Sequence, residues 1–236
     1  MNPMGSDQFP KWDYKEYPKT LAPDDLWGQV RRTVYGKPVP EDQIQMMVDA
    51  IVTGLELGSA DALLDIGCGN AALAARLFPY CDLCVGVDFS EYLISVANSR
   101  FSSPRHTFIC QDAVEYAAQE AAPSRFDKAL CFGMFAYLSD ASAQQLLLSL
   151  NQRFLNIRLL FIGSIPDPAC AASFFKDDGF ADSELYNPQS QIGVWRARER
   201  ITAMAKDAGW YARFQNMPPN FYQAHYRYNA ILERVV

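Results

Sequence analysis

The stretch LLDIGCGN at residues 63–70 decides the fold of this 236-residue chain. An apolar run that contains an acid is followed by two glycines around one residue, and then by a helical pattern. Because glycine lacks a Cβ atom, Gly67 and Gly69 let the backbone turn tightly and approach a ligand. The helix that follows presents free amides and the positive end of its dipole to that ligand. The stretch therefore predicts a strand–loop–helix unit with a ligand crevice at the carboxyl end of the strand.

Further apolar runs along the chain predict the other strands of a sheet. After residues 62–66 they occur at 83–88, 106–112, 126–132, 158–164, 210–216 and 225–236. The first runs alternate with helical patterns, which is typical of parallel strands covered by helices on both faces. The last two runs read as an antiparallel hairpin. We expect an α/β fold: a doubly wound, mostly parallel seven-stranded sheet with an antiparallel last strand, helices on both faces and an N-terminal helical lid.

The pattern divides the chain into two parts. Residues 1–58 form an N-terminal segment with lid helices, and residues 59–236 form the ligand-binding domain. Residues 1–20 mix prolines, aromatics and charges, which predicts a segment that is irregular or draped over the domain, whereas residues 40–58 have apolar side chains at helical spacing. Residues 165–193 carry many turn residues and predict a long insertion of the kind that is either functional or disordered.

Composition excludes several classes of protein. The chain has 21 Lys and Arg against 27 Asp and Glu, a formal charge of -6 and a pI near 5.0, whereas nucleic-acid binders usually carry a basic face. No apolar run approaches the roughly 18–20 residues of a membrane span, and the start of the chain lacks the pattern of a signal peptide. We expect a cytoplasmic protein that binds neither nucleic acid nor membrane. Cys81 and Cys84 lack further partners for zinc, so we expect no metal site.

Three acids mark the ends of the first three strands. Asp65 lies in the first strand, Asp88 ends the second and Asp112 ends the third. Carboxylates suit the ribose hydroxyls at Asp88, an adenine amino group at Asp112 and a cationic amino-acid group at Asp65. The set indicates a nucleoside whose other end is not a pyrophosphate. The spacing of Gly67, Gly69 and Ala72 by itself also fits a dinucleotide fingerprint.

Four segments, LLDIGCGNAAL, VGVDFS, FICQDAVEY and FDKALCFGMFAYL, together resemble the class I S-adenosylmethionine (SAM)-dependent methyltransferases. The resemblance implies SAM as the cofactor and residues 59–236 as a methyltransferase domain. Many members of that family have a glycine where this chain has Ala71, a position that we expect at the start of a helix. The cofactor-binding residues proposed on this basis are Asp65, Gly67, Cys68, Gly69, Asn70, Asp88, Phe89, Ser90, Asp112, Ala113, Cys131, Phe132 and, from the lid, Trp27.

The molecule that accepts the methyl group is predicted mainly by excluding other classes of acceptor. The fourth strand ends in GMFAY, not in the Asn-Pro-Pro-Tyr pattern associated with methylation of bases or glutamine, and the two histidines offer no magnesium site. These features, with the acidic composition, favour methyl transfer to an O or N atom of a small polar metabolite. His225, between the last two strands, is the candidate general base. The candidate substrate-binding residues are Tyr17, Arg31, Tyr137, Tyr222 and Arg227.

Two other functions stay open at this point. A nicotinamide-dependent oxidoreductase is compatible with the glycines and Asp88, although no Tyr-x-x-x-Lys pair accompanies them. A catalytically silent SAM-fold binding subunit is favoured if the 165–193 insertion fills the acceptor crevice. The sequence leaves the acceptor molecule and the oligomeric state undetermined.

Overall fold

The computed structural model describes residues 11–175 and 182–235. A 3-10 turn, Tyr17–Thr20, follows the first helix, and both pack against the helix Glu91–Phe101. Of the two alternatives predicted for residues 1–20, the structure shows residues 11–20 draped over the domain as helical turns and not irregular; residues 1–10 lie outside the described part. The N-terminal elements are α1 (Lys11–Glu16), α2 (Leu26–Gln29), β1 (Thr33–Val34), β2 (Lys37–Pro38) and α3 (Glu41–Leu55).

Seven strands form the central sheet. They are β3 (Ala62–Ile66), β4 (Leu83–Asp88), β5 (His106–Cys110), β6 (Lys128–Phe132), β7 (Leu159–Pro166), β8 (Trp210–Gln215) and β9 (Arg227–Arg234). Their order is β5-β4-β3-β6-β7-β9-β8, and β9 alone runs in the direction opposite to the other six strands. The predicted doubly wound sheet with an antiparallel last strand is therefore confirmed.

Helices cover the sheet in two layers. The remaining helices are α4 (Ala74–Leu77), α5 (Glu91–Phe101), α6 (Ala113–Gln119), α7 (Asp140–Arg153), α8 (Ala171–Phe175) and α9 (Arg198–Asp207). Apolar residues of α3, α4 and α5 pack on one face, and those of α6, α7 and α9 on the other. A Cβ atom on Gly54 of α3 would lie 2.6 Å from the ring of Phe161 in β7, so the glycine allows close packing. None of the described helices is long and apolar enough to cross a membrane.

The division of the chain at residue 58 stays a prediction. Helix α3 lies in a layer of the sheet although the sequence assigns it to the N-terminal segment. The part of that segment before α3 lies closer to the carboxyl ends of the strands, where it contacts the loop after β3.

The insertion after β7 packs on the loop that precedes β9. Phe174 of α8 contacts Trp195 and Tyr226, with ring centroids 5.4 and 4.5 Å apart. In β7 the pairing with β9 shifts between Ile162 and Ile165, and Ser164 between them has a φ of 64°. The irregularity falls at the carboxyl end of β7, the same edge of the sheet as the loop after β3.

Candidate functional site

The loop after β3 turns sharply because of its two glycines. Gly67 and Gly69 have φ angles of 76° and 56°, in the left-handed region that glycine adopts without steric cost. The amide of Gly67 donates to the carbonyl of Val87 in β4 at 2.7 Å. A Cβ atom on Gly67 would lie 2.6 Å from Cβ of Met134. A residue without a side chain therefore fits best at this position.

Ala71 also lies in the left-handed region, with a φ of 62°. Helix α4 begins at Ala74, so the expectation that Ala71 starts a helix is wrong. The loop instead makes a further turn, in which the amide of Ala71 donates to the carbonyl of Cys68 at 3.0 Å. This conformation costs a residue with a Cβ atom about 1–2 kcal/mol, which explains why glycine suits this position.

Asp88 at the end of β4 holds the glycine loop. One carboxylate oxygen accepts a hydrogen bond from the amide of Gly69 at 3.0 Å, and the other accepts one from the amide of Ser90 at 2.9 Å. Burial raises the pKa of Asp88 to about 6, and these backbone hydrogen bonds oppose the shift. The group is therefore mostly charged at neutral pH, and it lines a cavity.

Asp65 lies behind the loop and is buried. Burial raises the pKa of its carboxyl group to about 7; the Arg32 guanidinium lowers it and the Asp88 carboxylate adds to the rise. Asp65 is not part of the cavity wall. With a pKa of about 7, its carboxyl group is only partly charged at neutral pH.

The carboxyl end of β5 contributes the next polar group. Asp112 caps helix α6, where its side chain accepts a hydrogen bond from the amide of Val114 at 2.9 Å. Asp112, Ala113 and Phe89 line the same cavity as Asp88. The ammonium of Lys15 lies 5.5 Å from the centroid of the Phe89 ring.

Two polar side chains tie the N-terminal segment to this edge of the sheet. The buried amide of Asn70 donates to the carbonyl of Leu26 at 2.8 Å and to the side chain of Gln29 at 3.0 Å. The hydroxyl of Ser90 donates to the carbonyl of Tyr14 at 2.9 Å. The segment before α3 consequently forms part of the cavity wall, through Tyr14, Tyr17 and the residues that follow α2.

A single cavity of about 640 Å³ extends along the carboxyl edge of the sheet, a volume typical of small-molecule sites. We distinguish two ends by the residues that form them. The glycine-loop end consists of Gly67, Cys68, Gly69, Asn70, Asp88, Phe89, Asp112 and Ala113. The distal end consists of Tyr14, Tyr137, Ser164, Gln189, Tyr222, Gln223, Tyr226 and Arg227.

The distal end is held together by contacts between remote segments. The rings of Tyr14 and Tyr137 are 5.6 Å apart, and the hydroxyl of Tyr137 donates to the carbonyl of Gln191 at 3.2 Å. The hydroxyl of Ser164 donates to the side chain of Gln223 at 3.0 Å. Burial and the neighbouring Tyr137 raise the pKa of Tyr14 well above its usual value, so this phenol stays protonated at neutral pH.

Arginine side chains lie between and beside the two ends. The Arg31 guanidinium is 4.2 Å from the ring centroid of Tyr17, and that of Arg32 is 4.8 Å from that of Phe132. These four residues line the cavity, so the structure brings Tyr17, Arg31 and Phe132 together with the glycine-loop residues.

Several residues predicted for the site are absent from the described cavity wall. His225 is exposed, and its ring packs against Tyr226 at 4.8 Å between centroids. Trp27 lies at a separate, shallower depression beside Asp24 and Pro38. Three further predicted residues are also absent from the wall: Asp65, discussed above, Ser90 and the buried Cys131.

Sequence reasoning missed several polar residues of the wall, among them Ser164, Gln189, Gln191 and Gln223. Ser164 lies near the end of a buried strand at the ligand edge, which is a pattern that a search of strand ends finds. The three glutamines lie in loops without periodic pattern, so nothing in the sequence indicates which of them face the cavity.

Comparison with known proteins gives consistent matches. Residues 63–154 match a family model described as a methyltransferase domain. An uncharacterized methyltransferase of Schizosaccharomyces pombe, C1347.09, is 24% identical over 183 residues, which span 64% of this chain and 64% of that relative. The match thus covers less than two thirds of the length of the yeast protein.

Solved structures share the fold. Magnesium protoporphyrin IX methyltransferase from Synechocystis PCC 6803, crystallised with SAH, superposes with a TM-score of 0.66 at 20% identity, over 95% of this chain and 100% of that one. The small RNA methyltransferase HEN1 superposes with a TM-score of 0.61 at 18% identity, over 84% of this chain and 28% of that one. The match to the methyltransferase-domain model agrees with the predicted resemblance over residues 63–154, and the solved structures confirm the Rossmann-like fold. Proteins of this fold have been crystallised with SAM or SAH bound.

Proposed function

We propose that this chain is a class I SAM-dependent methyltransferase that transfers the methyl group to an O or N atom of a small polar molecule bound in its cavity. The observation that carries the proposal is that one cavity joins the glycine-loop end to the distal end. A cofactor at the first end and an acceptor at the second would share one cavity. Such an arrangement accelerates a displacement by holding the reactants in line and excluding water.

The residues of the glycine-loop end fit the proposed cofactor. Gly67 provides a backbone surface that a Cβ atom would obstruct, and Asp88 presents a carboxylate to ribose hydroxyls. Asp112 and Phe89 would contact the adenine, and Asp65 would favour the positively charged part from behind the loop. SAM supplies a methyl group activated by its sulfonium.

The cavity wall offers no evident general base for the acceptor. In the described wall the carboxylates are Asp88 and Asp112, both at the glycine-loop end, and that wall includes neither histidine nor lysine. We therefore propose an acceptor that is already nucleophilic at neutral pH, either a carboxylate oxygen or an unprotonated amine. Positioning and exclusion of water then provide most of the rate enhancement.

The role of His225 as a base stays a prediction that one variant tests. Because the side chain is exposed outside the wall, we expect His225→Gln to keep wild-type turnover and an unchanged pH–rate profile. A large loss of turnover with a shifted acidic limb would instead favour the histidine as a base brought in by a change of the loop.

A small-molecule acceptor is proposed over RNA. The formal charge of -6 and the acids Asp88 and Asp112 in the cavity wall are unfavourable for a polyanion. RNA enters as an alternative because HEN1 shares the fold. A silent binding subunit is less favoured, since the described part of the insertion lines the cavity through Pro188, Gln189 and Ile192 and leaves it open.

Two measurements test this function. Isothermal titration should give binding of SAM and SAH and none of NAD. Incubation with SAM and with fractions of a cell extract should then release SAH with the low-molecular-weight fraction, and not with purified RNA or protein. Binding of NAD in place of SAM, or SAH release with RNA alone, would contradict the proposal. Asp88→Ala serves as the control at SAM concentrations below the wild-type Kd, where SAH release from this site should fall together with the SAM affinity.

A further inference from the structure

Arg227 is the one charged residue of the distal end as defined above, and the hydrogen-bond donors of its side chain are incompletely paired. The side chain leaves the start of β9, and its Nη1 donates to the carbonyl of Ser164 at 2.5 Å and to the hydroxyl of Ser164 at 3.2 Å. Its Nε is buried and has no hydrogen-bond partner among the described residues. A guanidinium keeps its charge in proteins, so this donor remains available to a ligand.

Arg196, a buried arginine of the same chain, shows what full pairing looks like. It donates from Nε to Asp140 at 3.0 Å, from Nη1 to the carbonyl of Phe135 at 3.0 Å and from Nη2 to the carbonyl of Leu138 at 2.6 Å. Arg227 has no such carboxylate within 4.0 Å in the described part of the chain. Because a charge removed from water without a counterion costs several kcal/mol, the site favours an incoming anion.

Charge is separated along the cavity. The acids Asp88 and Asp112 line the glycine-loop end, with Asp65 behind them, whereas the distal end as defined above holds Arg227 and no carboxylate. Arg32 is near enough to Asp65 and Tyr222 to interact electrostatically with both, so Asp65 partly balances its charge. Arg227 instead faces phenols, with its guanidinium 4.9 Å from the ring centroid of Tyr226.

The backbone at Ser164 fixes the direction of this arginine. Ser164 has a φ of 64°, and its amide donates to the side chain of Asn229 at 3.0 Å. A left-handed serine is strained, and such strain is typical of functional sites. The conformation directs both the carbonyl and the hydroxyl of Ser164 to the same nitrogen of Arg227, and Nε has no hydrogen-bond partner among the described residues.

We infer that the acceptor is a small organic anion, with a carboxylate or phosphate group that binds the Nε edge of Arg227. The inference rests on the methyltransferase function proposed above and specifies its substrate class. The rings of Tyr137, Tyr222 and Tyr226 beside the arginine suit an acid with a flat apolar body. The planar guanidinium matches both carboxylate and phosphate geometry.

The test measures the binding of three probes to the SAH-saturated protein by ligand-observed NMR. The probes are benzoate, phenyl phosphate and the neutral isostere benzamide. We expect at least one anion to bind about tenfold or more tightly than benzamide, since hydrogen bonds to charged groups are the stronger ones. Whichever of the two anions binds more tightly shows whether the site prefers a carboxylate or a phosphate.

Variants of the arginine complete the test. Arg227→Met should remove the preference for anions and leave SAH affinity unchanged, and Arg227→Lys should retain part of the preference. Arg213→Met is the matched control, because Arg213 is exposed on β8 and lies outside the cavity wall. If Arg227→Met does not fold, the test uses Arg227→Lys instead, whose preference for the anions over benzamide should be weaker than that of the wild type.

The outcomes separate this inference from the function on which it rests. If SAH fails to bind to the wild-type protein, the methyltransferase proposal itself fails. If SAH binds but neither anion binds more tightly than benzamide, the anionic acceptor is overturned. It is overturned as well if the folded Arg227 variants keep the full preference for anions.

Discussion

The two ends of the cavity are built in different ways. The glycine-loop end comes from three consecutive strand–helix connections, and each of its polar groups lies within four residues of a strand end. The distal end joins the N-terminal segment, the end of β7, the insertion and the loop before β9. Arg227 and Ser164, which are in direct contact there, are 63 residues apart in the sequence.

This difference separates two kinds of sensitivity. At the glycine-loop end the backbone conformation forms the site, so a single methyl group in the wrong place should prevent cofactor binding. At the distal end side chains from remote segments form the site, so substitutions there should change acceptor binding and leave cofactor affinity intact. The following variants test the first half of this distinction, and the Arg227 variants test the second.

The largest effect is expected for Gly67→Ala. The new Cβ atom would meet Met134 at 2.6 Å and occupy a φ of 76°, which together cost roughly 2–4 kcal/mol. We expect SAM affinity to fall by about a hundredfold or more, measured by calorimetry. Gly36→Ala is the matched control, because Gly36 has a φ of 74° and a Cβ atom added there would have no heavy atom within 4 Å. Near-normal SAM binding by Gly67→Ala would disprove a backbone-formed site.

Asp88→Ala should have the next largest effect. The substitution removes the proposed ribose contact and the acceptor for the amides of Gly69 and Ser90. We expect SAM binding to weaken by about 1.5–3 kcal/mol, the range for a hydrogen bond to a charged group. Asp82→Ala, which removes an exposed carboxylate before β4, should leave the affinity unchanged. Equal SAM affinities for Asp88→Ala and the wild type would contradict the placement of the nucleoside at this strand end.

A smaller effect is expected for Asn70→Ala. Its side chain links the glycine loop to Leu26 and Gln29 of the N-terminal segment, so the loss should loosen that segment. We expect faster hydrogen exchange over residues 14–32 and SAM affinity reduced about fivefold, equivalent to roughly 1 kcal/mol. Asn98→Ala, which removes a comparable bond to the carbonyl of Phe108, should leave that segment unchanged. Unaltered exchange in Asn70→Ala would show that other contacts hold the segment.

The last prediction concerns stability and pH, and we expect the smallest effect on cofactor affinity here. The pKa of Asp65 is raised in the fold to about 7 from 3.8, so the native state holds this proton longer than the unfolded chain. The stability that this provides is complete below pH 3.8 and is lost as pH rises through about 7. Asp65→Asn should therefore stabilise the protein by roughly 1–3 kcal/mol at pH 8 and by less at pH 5, measured by urea unfolding. Equal gains at both pH values, or the same gain in the exposed Asp207→Asn, would contradict the burial of this charge.

Sequence reasoning succeeded where local pattern fixes the backbone. Gly67, Gly69 and Asp88 were placed at one edge of the sheet, and the structure brings them to one cavity. It failed at Ala71, where the loop makes an extra turn before α4. For residues 11–20 it left open whether the segment is irregular or draped over the domain, and packing on α5 decides for the second. Both cases concern short segments whose conformation depends on their neighbours.

The distal end shows the same limit for side chains. Tyr222, His225 and Arg227 lie within six residues of one another, and the sequence gives no reason to separate them. In the structure Tyr222 and Arg227 line the cavity and His225 faces solvent. The loop before β9 lacks a regular period, so its turns alone decide which side chain faces the cavity.

The sequence by itself therefore determined the class of fold, the order of strand and helix units and the glycine loop with its acids. These features follow from apolar runs and from glycines at strand ends, which act over a few residues. Only the tertiary structure decided that the N-terminal segment lines the cavity, that Ser164 takes a left-handed conformation and that the buried Nε of Arg227 has no partner. Those features depend on contacts between segments far apart in the chain, where packing overrides local preference.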